Sequence, residues 1–233
     1  MSGEDDDAGA GRFASPPCFM HELDEAFMNP QPVADHRQEV DVKRWRKEAR
    51  ARLIEERLAL SADIRLQLGE RIAAHLEDAM GAVEGLVVSL YWPFRGEPDL
   101  RALMQRIGRR GGRCALPVVV ALGEPLFFRA WGHGDPLTRG VWNIPIPPEG
   151  AEIVTPDIVI APVIGFDRQG YRLGYGGGFY DRTLAALAGT KRVFGVGYDQ
   201  AAIPTIYPQW HDIKMDAVIT ESGAVAADAP AAG

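Results

Sequence analysis

The segment Asp157–Asp181 constrains the fold more than any other part of the chain. It begins with Ile158-Val159-Ile160-Ala161, an apolar run of the kind needed by a strand covered on both faces. A tight loop follows, Gly165-Phe166-Asp167-Arg168-Gln169-Gly170. The chain then reads Tyr171-Arg172-Leu173-Gly174-Tyr175-Gly176-Gly177-Gly178-Phe179-Tyr180-Asp181, a glycine run opening a helix at Phe179. Consecutive glycines permit positive φ and close approach of the backbone to a ligand. The free N–H groups and dipole of the helix start favour an anion. Arg172 adds a fork suited to phosphate oxygens. Asp181 sits in the first helical turn, where a carboxylate is favoured anyway, and could also hold Mg²⁺ bridging phosphates. A tight strand-to-helix connection would need fewer glycines. Neither GxxxxGK[ST] nor GxGxxG is present, because position 179 is Phe, and there is no GxSxG elbow.

The surrounding pattern alternates helix and strand. A helix is predicted from Gln38 to Leu60, with Trp45, Ala49 and Leu53 on one face. Its other faces carry Lys43, Arg44, Arg46, Lys47, Arg50, Arg52 and Arg57, either as a solvated basic surface or as an anion site. Ser61 is a good N-cap for a second helix to Met80, with Ile64, Leu68, Ile72 and Leu76 as its core face. Strands are predicted at Leu86–Trp92, at Arg113–Val120 with a break or bulge at Pro117, at Pro125–Trp131, at Arg192–Tyr198 and at Asp216–Thr220. Further helices begin at Asp99 and run from Phe179 to Leu187. Val141–Pro148 reads as extended, anchored by Trp142. The alternation implies an α/β domain over residues 36–221. Residues 1–12 are too polar to order, and 13–35 form an aromatic, proline-rich arm that packs on the domain or contacts another protein. Residues 222–233 read as a flexible tail.

Composition excludes several function classes. A net charge of −7 argues against a nucleic-acid binder recruited by bulk electrostatics. Cys18 and Cys114 form neither a CxxC nor a metal quartet, as expected for free thiols in a reducing compartment. No run approaches the roughly 18 apolar residues that cross a membrane, and the acidic N-terminus is unlike a signal peptide, so a cytoplasmic protein is expected.

The stretch from Gly165 to Arg182 closely resembles the signature of the 5-formyltetrahydrofolate cyclo-ligase (5,10-methenyltetrahydrofolate synthetase) family. Tyr91-Trp92-Pro93-Phe94-Arg95-Gly96-Glu97, Trp142-Asn143-Ile144-Pro145 and His211-Asp212-x-x-Met215-Asp216 resemble other landmarks of that family, in order, so the likeness spans residues 43–221. It implies a three-layer α/β sandwich of the NagB/RpiA/CoA-transferase type with an N-terminal extension. It also implies ATP- and Mg²⁺-dependent closure of 5-formyltetrahydrofolate to 5,10-methenyltetrahydrofolate. There the formyl oxygen attacks the γ-phosphorus, and N10 then displaces phosphate.

By the same resemblance, Arg46, Arg50 and Arg172 through Tyr180 (Leu173, Gly174, Tyr175, Gly176, Gly177, Gly178 and Phe179 among them) would contact ATP. Arg172 and Tyr180 would serve the chemistry. Trp92, Glu97, Trp142 and Tyr175 through Phe179 would contact the folate. Asp181 and Asp216 would ligate Mg²⁺. Arg46 stands where the family carries a lysine, and Ile146 where it carries an acid or amide. The partners expected are ATP and a reduced folate, with the protein a monomer. An ATP-dependent enzyme on another N-formyl compound and a non-catalytic folate or nucleotide binder are the alternatives.

Overall fold

The computed structural model describes residues 36–187 and 191–226, so the polar tail and aromatic arm expected over residues 1–35 lie outside the described residues. The chain divides into two units, Met1–Val40 and Asp41–Gly233. Of the first, only residues 36–40 are described, as the start of helix α1 (His36–Ala59); the second contains the sheet and the cavity.

Helix α2 (Ala62–Met80) starts where the Ser61 hydroxyl accepts a hydrogen bond from Ile64 N at 3.2 Å, and ends at Gly81, whose φ is 65°. After it come β1 (Val87–Ser89), α3 (Arg101–Arg109), β2 (Arg113–Val118), β3 (Phe127–Ala130), β4 (Thr138–Arg139), β5 (Pro145–Ile146), β6 (Ile153–Val154) and β7 (Ile158–Pro162). The chain finishes with β8 (Gly165–Phe166), β9 (Arg172–Leu173), α4 (Phe179–Ala186), β10 (Arg192–Val196), β11 (Ala217–Thr220) and β12 (Gly223–Ala226).

Eight strands form one sheet in the order β12-β11-β10-β7-β1-β2-β3-β6. Its five central strands, β11 to β2, are parallel, and antiparallel pairings close both ends. The two-residue period of each strand sorts side chains between faces. Val88, Ile158, Ile160, Phe194 and Ile219 join Ile72, Leu76 and Met80 of α2 and Leu103, Met104 and Ile107 of α3. Val159, Val193 and Val218 belong to a second cluster, against which Tyr180, Leu184 and Leu187 pack. Helices thus cover both faces, and the three-layer expectation is met. Ala49 and Leu53 of α1 pack in a third cluster with Ile164, Leu173, Ile203 and Ile206.

Strand order turns back at β1. From there the chain moves outward to β2, then returns to β7 on the opposite side of β1 and continues to β10 and β11. Such a reversal leaves a crevice beyond the carboxyl ends of the two central strands, where α/β proteins bind ligands.

Four local expectations are corrected. The predicted β2 runs through Pro117 without a break. Ala115 O faces β1 and accepts from Leu90 N, so two residues on the Pro117 nitrogen faces the same side after β1 has ended. Residues 141–148 are not simply extended: β4 and β5 form a hairpin whose loop is a 3₁₀ turn, with Trp142 and Asn143 at φ 55° and 62°. Ile64 is exposed and so contributes little to the core face of α2. Beyond Thr220 the chain folds back as β12, antiparallel to β11, rather than fraying at once.

Candidate active site

A cavity of about 510 Å³ opens at the carboxyl ends of β1, β2 and β7, where the strand order reverses. The loops after β1 and β9, the β4–β5 hairpin, α1 and residues 211–212 complete its wall.

The glycine segment is aimed by a hairpin. β8 and β9 pair antiparallel, and Asp167 fixes the turn between them. Its buried carboxylate accepts from Gln169 N at 3.0 Å, Tyr171 N at 3.1 Å and Ile206 N at 3.0 Å. The chain leaves β9 with Gly174 and reaches α4 through Gly176 at φ 95° and Gly178 at φ 63°, conformations that favour glycine. Gly177 is needed for space: a Cβ there would lie 2.7 Å from the Phe179 ring.

Three arginines of α1 share the stripe that carries Ala49 and Leu53. Arg46 is buried and its donors are already committed. Nε bonds Ile206 O at 3.0 Å, Nη2 bonds Tyr207 O at 2.9 Å and Asp212 Oδ2 at 2.5 Å, and Nη1 bonds Asp212 Oδ1 at 3.3 Å. The structure therefore gives Arg46, expected as a nucleotide contact, to anchoring the 206–212 segment. Burial would raise the Asp212 pKa, but Arg46 and the Gln209 N–H outweigh it and hold the carboxyl below its usual range. Arg50 is different. Its Nε bonds Gly174 O at 2.6 Å beside Gly176, while its Nη nitrogens have no hydrogen-bond partner among the described residues. Burial, then the neighbouring Arg46, lowers its pKa against the pull of Asp212. Arg57 is buried, and its Nη2 donates to the Tyr175 hydroxyl at 2.7 Å.

Arg172 and Asp181, expected to face phosphate and metal, form an ion pair at 2.7 Å. Arg172 also donates to Ile213 O at 2.9 Å, and Asp181 Oδ1 accepts from Ile213 N at 3.0 Å. Both bonds to Asp181 fall on Oδ1. Burial lowers the Arg172 pKa, opposed chiefly by Asp181. The ring of Tyr180 lies 5.8 Å from the Arg172 guanidinium. Asp216, expected to join Asp181 on a metal, is absent from the cavity wall: it is exposed and accepts from Val193 N at 2.6 Å, at the start of β10. The third wall carboxylate, with Glu97 and Asp181, is Asp212.

Glu97 is buried at the end of the loop after β1. Its Oε2 accepts from Phe94 N at 2.9 Å, and its Oε1 accepts from the Tyr175 hydroxyl at 2.9 Å. Burial raises its pKa to about 7, opposed by Arg57 and these two bonds. Trp92 packs edge-on against Trp131 at 5.9 Å. Trp142 is 55% exposed at the cavity wall, edge-on to Phe179 at 6.0 Å. The sequence-predicted residues other than Asp216 thus converge on one cavity. Arg57 and Asp212 were not singled out; their signal was the spacing 46, 50, 53, 57 on one helical stripe and the acid beside His211.

The family model described as the 5-formyltetrahydrofolate cyclo-ligase family matches residues 42–221. The chain belongs to this family. Among cyclo-ligase relatives, the 5-formyltetrahydrofolate cyclo-ligase of Mycolicibacterium smegmatis is 35% identical over 62% of this chain and 78% of its own length. That of Escherichia coli K12 is 31% identical over 71% of this chain and 94% of its own. The NMR structure of Aquifex aeolicus 5,10-methenyltetrahydrofolate synthetase superposes with a TM-score of 0.68 at 26% identity, covering 81% of this chain and 96% of that one. The Mycoplasma pneumoniae 5,10-methenyltetrahydrofolate synthetase, 20% identical with a TM-score of 0.63, shares the fold. No helix among the described residues is long and apolar enough to cross a membrane.

The donor set limits how a cyclo-ligase of this sequence would hold Mg²⁺. Among the described residues no group of three or more His, Cys, Asp or Glu could hold a metal. Magnesium, however, is commonly bound by one or two carboxylates with substrate phosphates and water. Asp181 fits that role, because its Oδ2 is not used by Arg172 or Ile213. Asp216 does not fit in this arrangement.

Proposed function

We propose that this chain closes 5-formyltetrahydrofolate to 5,10-methenyltetrahydrofolate with ATP and Mg²⁺, releasing ADP and phosphate. The observation that carries the reading is the Tyr175–Glu97 hydrogen bond of 2.9 Å, which joins the glycine loop to the loop carboxylate within one cavity. A donor of phosphate and a flat pterin would meet there.

The glycine loop, from Leu173 to Tyr180, would surround the phosphates, with the free Nη nitrogens of Arg50 directed to their oxygens. Asp181 would hold Mg²⁺, which supplies charge neutralisation as phosphate transfers. Arg172, paired with Asp181, would orient that carboxylate. Glu97 would accept hydrogen bonds from the pterin N–H edge, and Trp92 and Trp142 would border its faces. Holding the formyl oxygen in line with the γ-phosphorus needs positioning and charge stabilisation, and no protein nucleophile.

Purified protein with ATP, Mg²⁺ and 5-formyltetrahydrofolate is expected to give the near-ultraviolet absorbance of the methenyl product. No gain in protein that still binds ATP would overturn the reading.

Glu97 adds a pH signature. It must be ionised to accept two N–H donors, so kcat/KM for the folate is expected to rise with pH through about 7. Glu97→Gln should remove that limb and raise the folate KM about 10- to 100-fold at pH 8, as for a lost charged hydrogen bond. An unchanged limb in that variant would assign it elsewhere. Stability moves in the opposite direction. The folded pKa is raised, so the Glu97 contribution declines as pH climbs from the ordinary carboxylate range through about 7.

A further inference from the structure

The loop that presents Glu97 has an unusual backbone. Arg95 and Gly96 follow one another at φ 49° and 79°. Arg95 bears a side chain in a region that glycine prefers, and such residues persist only where their surroundings hold them. Arg57 supplies the hold. Its Nε donates to Arg95 O at 3.0 Å, its Nη1 to Val163 O at 3.3 Å beyond β7, and its Nη2 to the Tyr175 hydroxyl at 2.7 Å. The Tyr175 hydroxyl in turn donates to Glu97 Oε1 at 2.9 Å. Gly96 suits this turn because its φ of 79° is a conformation that L side chains rarely adopt. Tyr198 adds a bond to Gly96 O at 3.2 Å. One guanidinium therefore touches the Glu97 loop, the end of a central strand and the glycine loop, yet it does not itself line the cavity.

We propose that Arg57 is a positioning residue, which through Arg95 and Tyr175 fixes the Glu97 carboxylate in the folate site and registers that site against the glycine loop. The proposal rests on the cyclo-ligase reading. Arg57 acts by geometry and by charge. It is the cation facing Glu97; the other groups around that carboxylate are the phenols of Tyr91, Tyr175, Tyr180 and Tyr198 and the Phe94 N–H. Every phenol is uncharged in the neutral range, its pKa raised first by burial. Without Arg57, no other cation among the described residues is seen to oppose the burial of the Glu97 charge, and the carboxyl holds its proton to higher pH.

The test compares wild type, Arg57→Met, Arg57→Lys and Tyr175→Phe from pH 5.5 to 8.5. The readouts are kcat/KM and KM for 5-formyltetrahydrofolate, KM for ATP, and the folate Kd without ATP. Arg57→Met is expected to shift the rising limb upward by about one pH unit, a roughly tenfold loss of kcat/KM on its acid side. The folate KM and Kd rise while the ATP KM changes less. Arg57→Lys restores much of the limb position because it restores the charge. Parallel loss at every pH, or equal loss for ATP and folate, would overturn the proposal by reducing Arg57 to a structural residue. If Arg57→Met fails to fold, Tyr175→Phe decides: a smaller upward shift supports the relay, and an unmoved limb overturns it. Absence of turnover in wild type defeats the cyclo-ligase reading instead, before any variant is compared.

Discussion

Asp181→Asn is expected to lower turnover by about 10²- to 10³-fold, the usual effect of removing one preorganised charge-stabilising group. The reasoning is geometric. Asn keeps an oxygen for Arg172 Nη2 and Ile213 N, both of which meet Oδ1, so α4 stays tied to the chain at Ile213. What disappears is the negative charge proposed to hold Mg²⁺. The change has a second consequence. The Arg172 side chain is only 3% exposed, and Asp181 is its ion-pair partner. Replacing a charged acceptor with a neutral one should cost about 1.5–3 kcal/mol of stability, measurable as a lower urea midpoint. Full turnover with an unaltered Mg²⁺ response would remove Asp181 from the metal role.

Arg46→Ala is expected to destabilise the fold by about 3–5 kcal/mol, as for a buried ion pair broken on one side. The side chains of Arg46 and Asp212 are 11% and 6% exposed. Truncation leaves the Asp212 carboxylate buried, and frees Ile206 O and Tyr207 O as well. The pH dependence carries a definite sign. The folded pKa of Asp212 is depressed, so its contribution is full above the unfolded carboxylate pKa and fades as pH falls through the lower folded value. Denaturant midpoints should show that acid loss in wild type and much less of it in Arg46→Ala. Arg46→Lys tests the same anchor differently, since a single ammonium cannot serve four acceptors at once. Equal stability of wild type and Arg46→Ala would return Arg46 to the nucleotide.

Much of this site was legible in the sequence because its chemistry is contiguous. The run from Arg172 to Asp181 carries its own backbone freedom and its own charges, and the folded chain keeps them together. The sheet was legible for a similar reason, since Ile158–Ala161 has no polar residue to contradict a covered strand. The rest depended on contacts across long sequence distances. The partner of Arg46 lies 166 residues away and that of Arg57 lies 118 away, so a scan for apolar periodicity sees two solvated cations on a helix. Asp216 looked like a ligand by motif, but its carboxylate is used as a local acceptor for a backbone N–H on the adjacent strand. The left-handed turn at Trp142 and Asn143 was hidden because neither residue is glycine.

Helix α1 has a mechanical implication. From Arg46 to Arg57 its axis advances roughly 16 Å. Along that length it grips the 206–212 segment, the glycine loop and the Glu97 loop in turn. The helix acts as a gauge bar, and the spacing between the glycine loop and the Glu97 loop is set by its rise per residue. An insertion or deletion between Arg46 and Arg57 would rotate and displace one grip against the others. This short stretch of α1 is therefore less free to change in length than any surface loop of the domain.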